Sequence, residues 1–226
     1  LASMVGYGEL VRRSRRRLQE ERVDACLDEV ISAGYRARDL IAQMLAFSRA
    51  SRAAPRSVDL QSAITDVSRM LRAAIPGVVE LKTDRVGHVR PVRADPVQIQ
   101  QIVINLLVNA RDALADIGAG RIDVSLTEEQ SEGVCSACGM SIEGAKIVLT
   151  VTDSGHGISP DVRERLFDMY FTTRAPGKGT GIGLWLVNRL VHEYEGHILV
   201  ESSPGAGARF SVVFPPAEDM LAAADN

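Results

Sequence analysis

Residues 100 to 114 read QQIVINLLVNARDAL, an apolar run interrupted by two asparagines, Asn105 and Asn109. Four residues apart, the two amides stand on one face of a helix whose other positions are mostly apolar. Burying a polar amide is costly unless it finds a partner. Each amide carries a carbonyl oxygen able to ligate a hard cation, and Mg²⁺ favours a few such oxygens together with waters and substrate phosphates. The alternative reading is that both amides cap neighbouring loops.

Downstream, LTVTDSGHGIS (residues 149 to 159) is a β-rich run that ends at Asp153 and passes into Gly155 and Gly157. A carboxylate held at the end of a strand can accept a hydrogen bond from an exocyclic amine, while a base presenting a carbonyl there would set two acceptors face to face. That chemistry suits adenine and rejects guanine; a simple turn is the alternative. In LFDMYFTTRAPGKGTGIGLWLV (residues 166 to 187), aromatic residues give way to a basic, glycine-rich loop and then to a helix-forming run. Such a loop can fold over a ligand, with Arg174 and Lys178 reaching a terminal phosphate. The bare backbone from Gly177 to Gly183 suits an anion at a helix N-terminus, or else a mobile loop and a close helix contact.

The rest of the chain sets bounds. Its 226 residues are 46% hydrophobic and 24% charged, with a net charge of -3, which suits one domain plus an appendage. The charges of both signs are mixed, so there is no electrostatic case for nucleic acid. No apolar run approaches the ~18 residues of a membrane span, and no signal-peptide pattern is present. Three cysteines, Cys26, Cys135 and Cys138, are too few for a disulfide framework, and a cytoplasmic location is expected. The sequence starts at Leu1 in mid-pattern, as a fragment of something longer would.

Residues 1–53 contain two amphipathic runs joined by a polar break. They predict a helical hairpin that pairs with a second copy as a four-helix bundle, or packs on the other domain. Residues 54–57 are read as a linker, 58–217 as a second domain and 218–226 as a tail. The second domain is expected to hold helices over 60–74, 96–115 and 160–167 and a helix opening at Gly181. Strands are expected over 78–83, 121–127, 146–151, 197–202 and 208–214. Most neighbours are taken as antiparallel, which gives an α+β sandwich with helices on one face of the sheet.

NLLVNARDAL, DSGHGIS, LFDMYFTTR and GKGTGIGLWLV, in this order, resemble the catalytic ATP-binding domain of sensor histidine kinases, within the wider group that includes Hsp90 and gyrase. The preceding hairpin is similar to that family's dimerisation and phosphotransfer domain. The resemblance implies an α/β sandwich with a Bergerat-type ATP site. Asn109 would be the Mg²⁺ ligand supported by Asn105, Asp153 would bind the adenine amine, and Gly155 and Gly157 would line the base pocket. Thr172, Thr173, Arg174 and Lys178 would belong to the ATP lid; Gly179, Thr180, Gly181 and Gly183 would form the phosphate-side loop and helix entrance. It also implies a homodimer through the hairpin, a response-regulator receiver domain as partner, and transfer of the γ-phosphate of ATP to a histidine and on to an aspartate.

Departures from the family pattern are also present. By the family's helix spacing the phosphoacceptor histidine lies about six residues before Leu1, so no catalytic residue is assigned within the chain. His88, His156, His192 and His197 are read as surface or packing residues. HEYEGH (residues 192–197) places its histidines five apart, off one helix face. Ala208 stands where the family favours Thr, and Trp185 is expected to plug the core or the lid hinge. Residues 128–145 look like an insertion between strands, in which Cys135 and Cys138 have the spacing of half a zinc site. They are read as free thiols, with a redox switch or a zinc bridge between chains as alternatives. A non-catalytic interaction module and an Hsp90-like clamp ATPase are the competing functional readings.

Overall fold

A computed structural model describes residues 54–72, 74–85, 87–115, 117–174 and 179–217. All fall within one unit of the chain, Ala53–Asn226. The expected hairpin and the tail lie outside the described residues.

The element order is β1 (Arg56–Val58), α1 (Leu60–Leu71), β2 (Val79–Arg85), β3 (Val92–Ala94), α2 (Pro96–Ala113), β4 (Gly120–Gln130), β5 (Gly133–Val134), β6 (Ser141–Ile142), β7 (Ala145–Asp153), α3 (Pro160–Glu164), α4 (Gly183–Glu193), β8 (His197–Ser202) and β9 (Ala208–Phe214). Five strands form the main sheet in the order β2-β4-β7-β9-β8. The β2–β4 pair is parallel and the other pairs are antiparallel. The register sets Asp153 opposite both Ile122 and Ala208, so the carboxylate stands at the end of a central strand.

Alternation builds the two faces of the sheet. Ile122, Val124 and Leu126 of β4 and Ile147, Leu149 and Val151 of β7 are buried in one core with α1, α2 and α4. Val148 and Val213, of opposite parity, pack with Cys135 and Ile142 in a second, smaller cluster. The insertion therefore folds onto the far face of the sheet. It also covers the outer edge of β8: Ser136 N–H donates to Ile198 O (2.7 Å), and Val200 N–H donates to Ser136 Oγ (2.9 Å). Covering an edge in this way removes unpaired strand groups from solvent.

Helix α2 starts on a cap. Asp95 accepts a hydrogen bond from Val97 N–H (2.8 Å), and Pro96, lacking an N–H, occupies the first turn. Tyr194, just past α4, ties this end down: its hydroxyl accepts from Asp95 N–H (3.1 Å) and donates to Gln98. The other end of α4 lies at Asn105, where a Cβ on Gly183 would stand 2.9 Å from Oδ1. The two helices thus run antiparallel, and α2 continues past the start of α4 to the end of β7.

Three differences from the sequence reading have physical causes. Arg56 and Ser57, expected as linker, join Val58 in a short antiparallel ladder with β3; the run is too short and too polar to announce a strand. The helix expected to open at Gly181 begins at Gly183, because Gly181 sits at φ 65, outside the helical region. His192 and His197 are not separate packing residues: with Cys135 and Cys138 their ligand atoms all lie within 4.8 Å of one another.

Removal of the α2 cap by Asp95→Ala is expected to destabilise the protein by about 1 kcal/mol, lowering the thermal midpoint by roughly 2–4 °C in a domain of this size. A thermal melt followed by circular dichroism checks it.

Candidate functional site

The buried stripe of α2 is Ile99, Ile102, Val103, Leu106, Leu107 and Ala110. Asn105, Asn109 and Asp112 flank it, half-buried, and each faces a different part of the chain. Asn105 Nδ2 donates to Gln101 O (2.8 Å), which leaves its oxygen directed at the start of α4. Asn109 Nδ2 is buried without a hydrogen-bond partner among the described residues. An amide's two ends are assigned from their partners, and an orphaned end of this kind is completed by a ligand or by water.

The start of α4 is open. Among the described residues Ile182 stands at the N-cap and no side chain caps the helix, so its start presents the partial positive charge of a helix N-terminus. A residue larger than glycine at 183 would press on Asn105 Oδ1. The glycine therefore permits close approach of helix start and amide, a different purpose from the φ 65 of Gly181.

Asp153 is 5% exposed. Its Oδ1 accepts from Gly155 N–H at 2.8 Å. Burial raises its pKa, opposed by backbone N–H groups of Gly155 and Ala208 and by the charge of His156. The Ala208 contact is made by the main chain, so the absence of a threonine side chain leaves both it and the β7–β9 pairing intact. A Cβ on Gly155 would stand 2.7 Å from Ala113 O at the end of α2, so the carboxylate and the α2 terminus share one neighbourhood. Gly157 is at φ 71, and a Cβ there would meet Ser203 O at 2.0 Å. It seats the 153–158 loop against the β8–β9 turn, where Ile158 N–H donates to Ser202 Oγ (2.9 Å).

The loop between α3 and α4 is closed at its base by Tyr170 N–H donating to Gly181 O (2.9 Å), with Tyr170 itself at φ 68. Within it Thr172 Oγ1 accepts from Arg174 N–H (3.2 Å), Gly179 packs beside that hydroxyl, and Thr180 Oγ1 accepts from Ile182 N–H (3.4 Å). Thr173 is exposed beside Arg174. Gly177 and Lys178 lie outside the described residues. Arg174 forms an ion pair with Asp112, which Arg111 also contacts at 2.6 Å. Asp112, three residues beyond Asn109, is a neighbouring position on the same helix surface, and nothing local in the sequence marks it as a site residue. Trp185 is half-buried at the core margin, with the Arg189 guanidinium 5.9 Å from its ring centroid.

Residues 94–218 match the family model of histidine kinase-, DNA gyrase B- and HSP90-like ATPases. The chain belongs to this ATPase family. The sensor kinase CckA of Brucella abortus is 35% identical over 80% of this chain and 19% of its own length. Full-length ShkA in complex with AMPPNP aligns with a TM-score of 0.62 at 22% identity, over 90% of this chain and 41% of that one. ThkA in complex with the response regulator protein TrrA aligns with a TM-score of 0.62 at 19% identity, over 96% of this chain and 58% of that one. These structures share the fold. The chain spans about a fifth to a third of the length of the curated relatives it matches. Among the described residues of this ATPase-family chain, no helix is long and apolar enough to cross a membrane.

The raised Asp153 pKa fixes a sign. A carboxyl whose pKa is higher folded than unfolded is charged at a cost to the folded state above its folded pKa, and that cost vanishes as the group protonates. Asp153→Asn, which keeps an acceptor for Gly155 N–H, is therefore expected to melt higher than wild type at neutral pH. The advantage shrinks as pH falls toward the ordinary carboxyl value of 3.8. Paired melts across that range check the direction.

Proposed function

We propose that this chain is the catalytic core of a two-component sensor histidine kinase. In this reading it binds Mg-ATP, passes the γ-phosphate to a histidine outside the present sequence, and from there to an aspartate of a response regulator. The observation that carries the reading is that one helix, α2, adjoins every other element a nucleotide needs: the α4 start at Asn105, the lid arginine at Asp112, and the Asp153 neighbourhood at Ala113.

The roles follow from chemistry. Asp153 accepts the adenine amino group, and Gly155 and Gly157 leave room for the ring against the backbone. The uncapped N–H groups of α4, with Gly179, Thr180, Gly181 and Gly183, receive the phosphates. Thr172, Thr173, Arg174 and Lys178 form the lid; opening it exchanges the Arg174 contact with Asp112 for one with phosphate. An amide oxygen on each asparagine can ligate a hard cation, and the unpartnered Asn109 Nδ2 calls for an acceptor such as a phosphate or water oxygen. Asn109 would hold Mg²⁺ with Asn105 beside it, and the ion would supply neutralisation of phosphate charge. Residues 1–53 would form the dimerising hairpin that presents the regulator's docking surface. A protein that uses ATP and a response regulator in this way would work in the cytoplasm.

Calorimetric titration with ADP and with AMPPNP, with and without Mg²⁺, tests the reading. Wild type is expected to bind both nucleotides, with magnesium strengthening AMPPNP binding. Asn109→Ala should lose at least about tenfold, or ~1.4 kcal/mol, of the magnesium-dependent affinity, and Asp153→Asn should weaken both nucleotides. Failure of wild type to bind either nucleotide would sink the kinase reading and favour a non-catalytic interaction module.

A further inference from the structure

The second cluster of chemistry-bearing groups lies at the other end of α4, and the nucleotide reading makes no use of it. Cys135 is buried and Cys138 exposed, and both are free. They bracket the turn between β5 and β6, which Gly139 closes at φ 74 with its N–H on Cys135 O (2.9 Å), while Cys135 N–H returns to Met140 O (2.8 Å). His192 sits in the last turn of α4 and His197 opens β8. The helix ends between them, and Glu195 at φ 55 followed by Gly196 reverses the chain. Five residues apart would be off one helix face; across this turn the two imidazoles come side by side, with ring centroids 5.6 Å apart.

The contacts match metal geometry. Cys135 Sγ lies 3.7 Å from His192 Nε2, and Cys138 Sγ lies 3.7 Å from His197 Nδ1. A tetrahedral zinc with ordinary Zn–S and Zn–N bonds sets sulfur and nitrogen about 3.6 Å apart. The orientation is also set. His192 Nδ1 is 2.8 Å from Asn188 O, an acceptor only, so the proton is on Nδ1 and the Nε2 lone pair faces the sulfur. Ile198 N–H donates to Cys135 Sγ (3.5 Å), a bond that favours thiolate.

Two thiol–imidazole hydrogen bonds would account for two of the contacts but not for all four ligand atoms converging within 4.8 Å. A thiol–thiolate hydrogen bond and an edge-on imidazole pair each explain one further contact, but one cation explains all four at once. Two sulfurs and two nitrogens around one point select zinc among the common divalent ions. A [2Fe–2S] centre with the same ligands needs cysteines and histidines on two separate irons, and this cluster is too tight for that.

We propose that Cys135, Cys138, His192 and His197 hold one zinc ion in a closed, tetrahedral structural site. Binding forms two Zn–S and two Zn–N bonds and releases the thiol protons to solvent. It fastens the 131–144 insertion to the α4–β8 corner and to the covered edge of β8. The assignment stands on different residues from the nucleotide site and survives if that reading fails.

The test is metal analysis and cobalt titration of the whole chain, purified reduced from zinc-replete medium. One zinc per chain is expected, together with the visible and near-ultraviolet bands of tetrahedral, thiolate-ligated Co²⁺ in the metal-stripped protein. Cys138→Ser and His197→Ala, each with unchanged far-ultraviolet circular dichroism, should lower zinc affinity by about 100-fold or more, while Asn109→Ala keeps it. Sub-stoichiometric zinc without the tetrahedral cobalt spectrum in wild type overturns the proposal, as does full zinc retention in both variants or a Cys135–Cys138 disulfide in the reduced preparation. The cobalt spectrum of wild type needs no variant to fold.

Discussion

The antiparallel packing of α2 against α4 is the constraint on which the rest depends. It is fixed at one end by Tyr194, bonded to Asp95 and Gln98, and at the other by the close approach of Gly183 to Asn105. Between these points apolar residues of both helices share the core with β4 and β7. Because α2 is the longer helix, its last turns project beyond α4 and overlie the strand end that carries Asp153. The half-buried groups on that projecting surface, Asn109 and Asp112, are therefore the ones facing the open helix start and the lid. Displacing α4 by one residue's side chain at position 183 would disturb both amides before it disturbed the core.

Helix α4 has two chemically different ends. Its start offers uncapped N–H groups and suits negative charge; its last turn carries His192, whose Nδ1–H bonds a carbonyl of the preceding turn. The insertion that supplies Cys135 and Cys138 also closes the edge of β8 and a patch of the sheet's far face. A feature that reads as a loop between two strands is thus a second layer over the sheet, held by a few hydrogen bonds, a small apolar cluster and the four-residue metal cluster. Such a small cluster buries little area, and a metal is the ordinary way to stabilise a module of that size.

The parts of the fold and site that were legible in sequence are those set by local periodicity. The amide pair on an apolar helix, the carboxylate at the end of a β-rich run and the glycine-rich entry to α4 all appear near where spacing placed them, and β8 and β9 match their predicted spans. What was not legible depends on partners distant in sequence. Arg174 meets Asp112 across 62 residues, and nothing local marks either as a pair. Arg56–Val58 become a strand only because β3 is there to bond them. The histidines of HEYEGH, too far apart to share one helix face, meet across the turn that Glu195 makes at positive φ. A CxxC turn pointed to half of a metal site, and the other half came from an element brought near by the sheet.

In the proposed function one surface, built on α2 and reaching the start of α4, the lid and the Asp153 loop, receives a nucleotide. Hydrogen–deuterium exchange of the chain with and without Mg-AMPPNP tests it most directly. Protection is expected only at residues 105–115, 153–158 and 170–186, with the β5–β6 insertion on the opposite face unchanged. Protection absent from all three segments, or centred on the insertion, would contradict it.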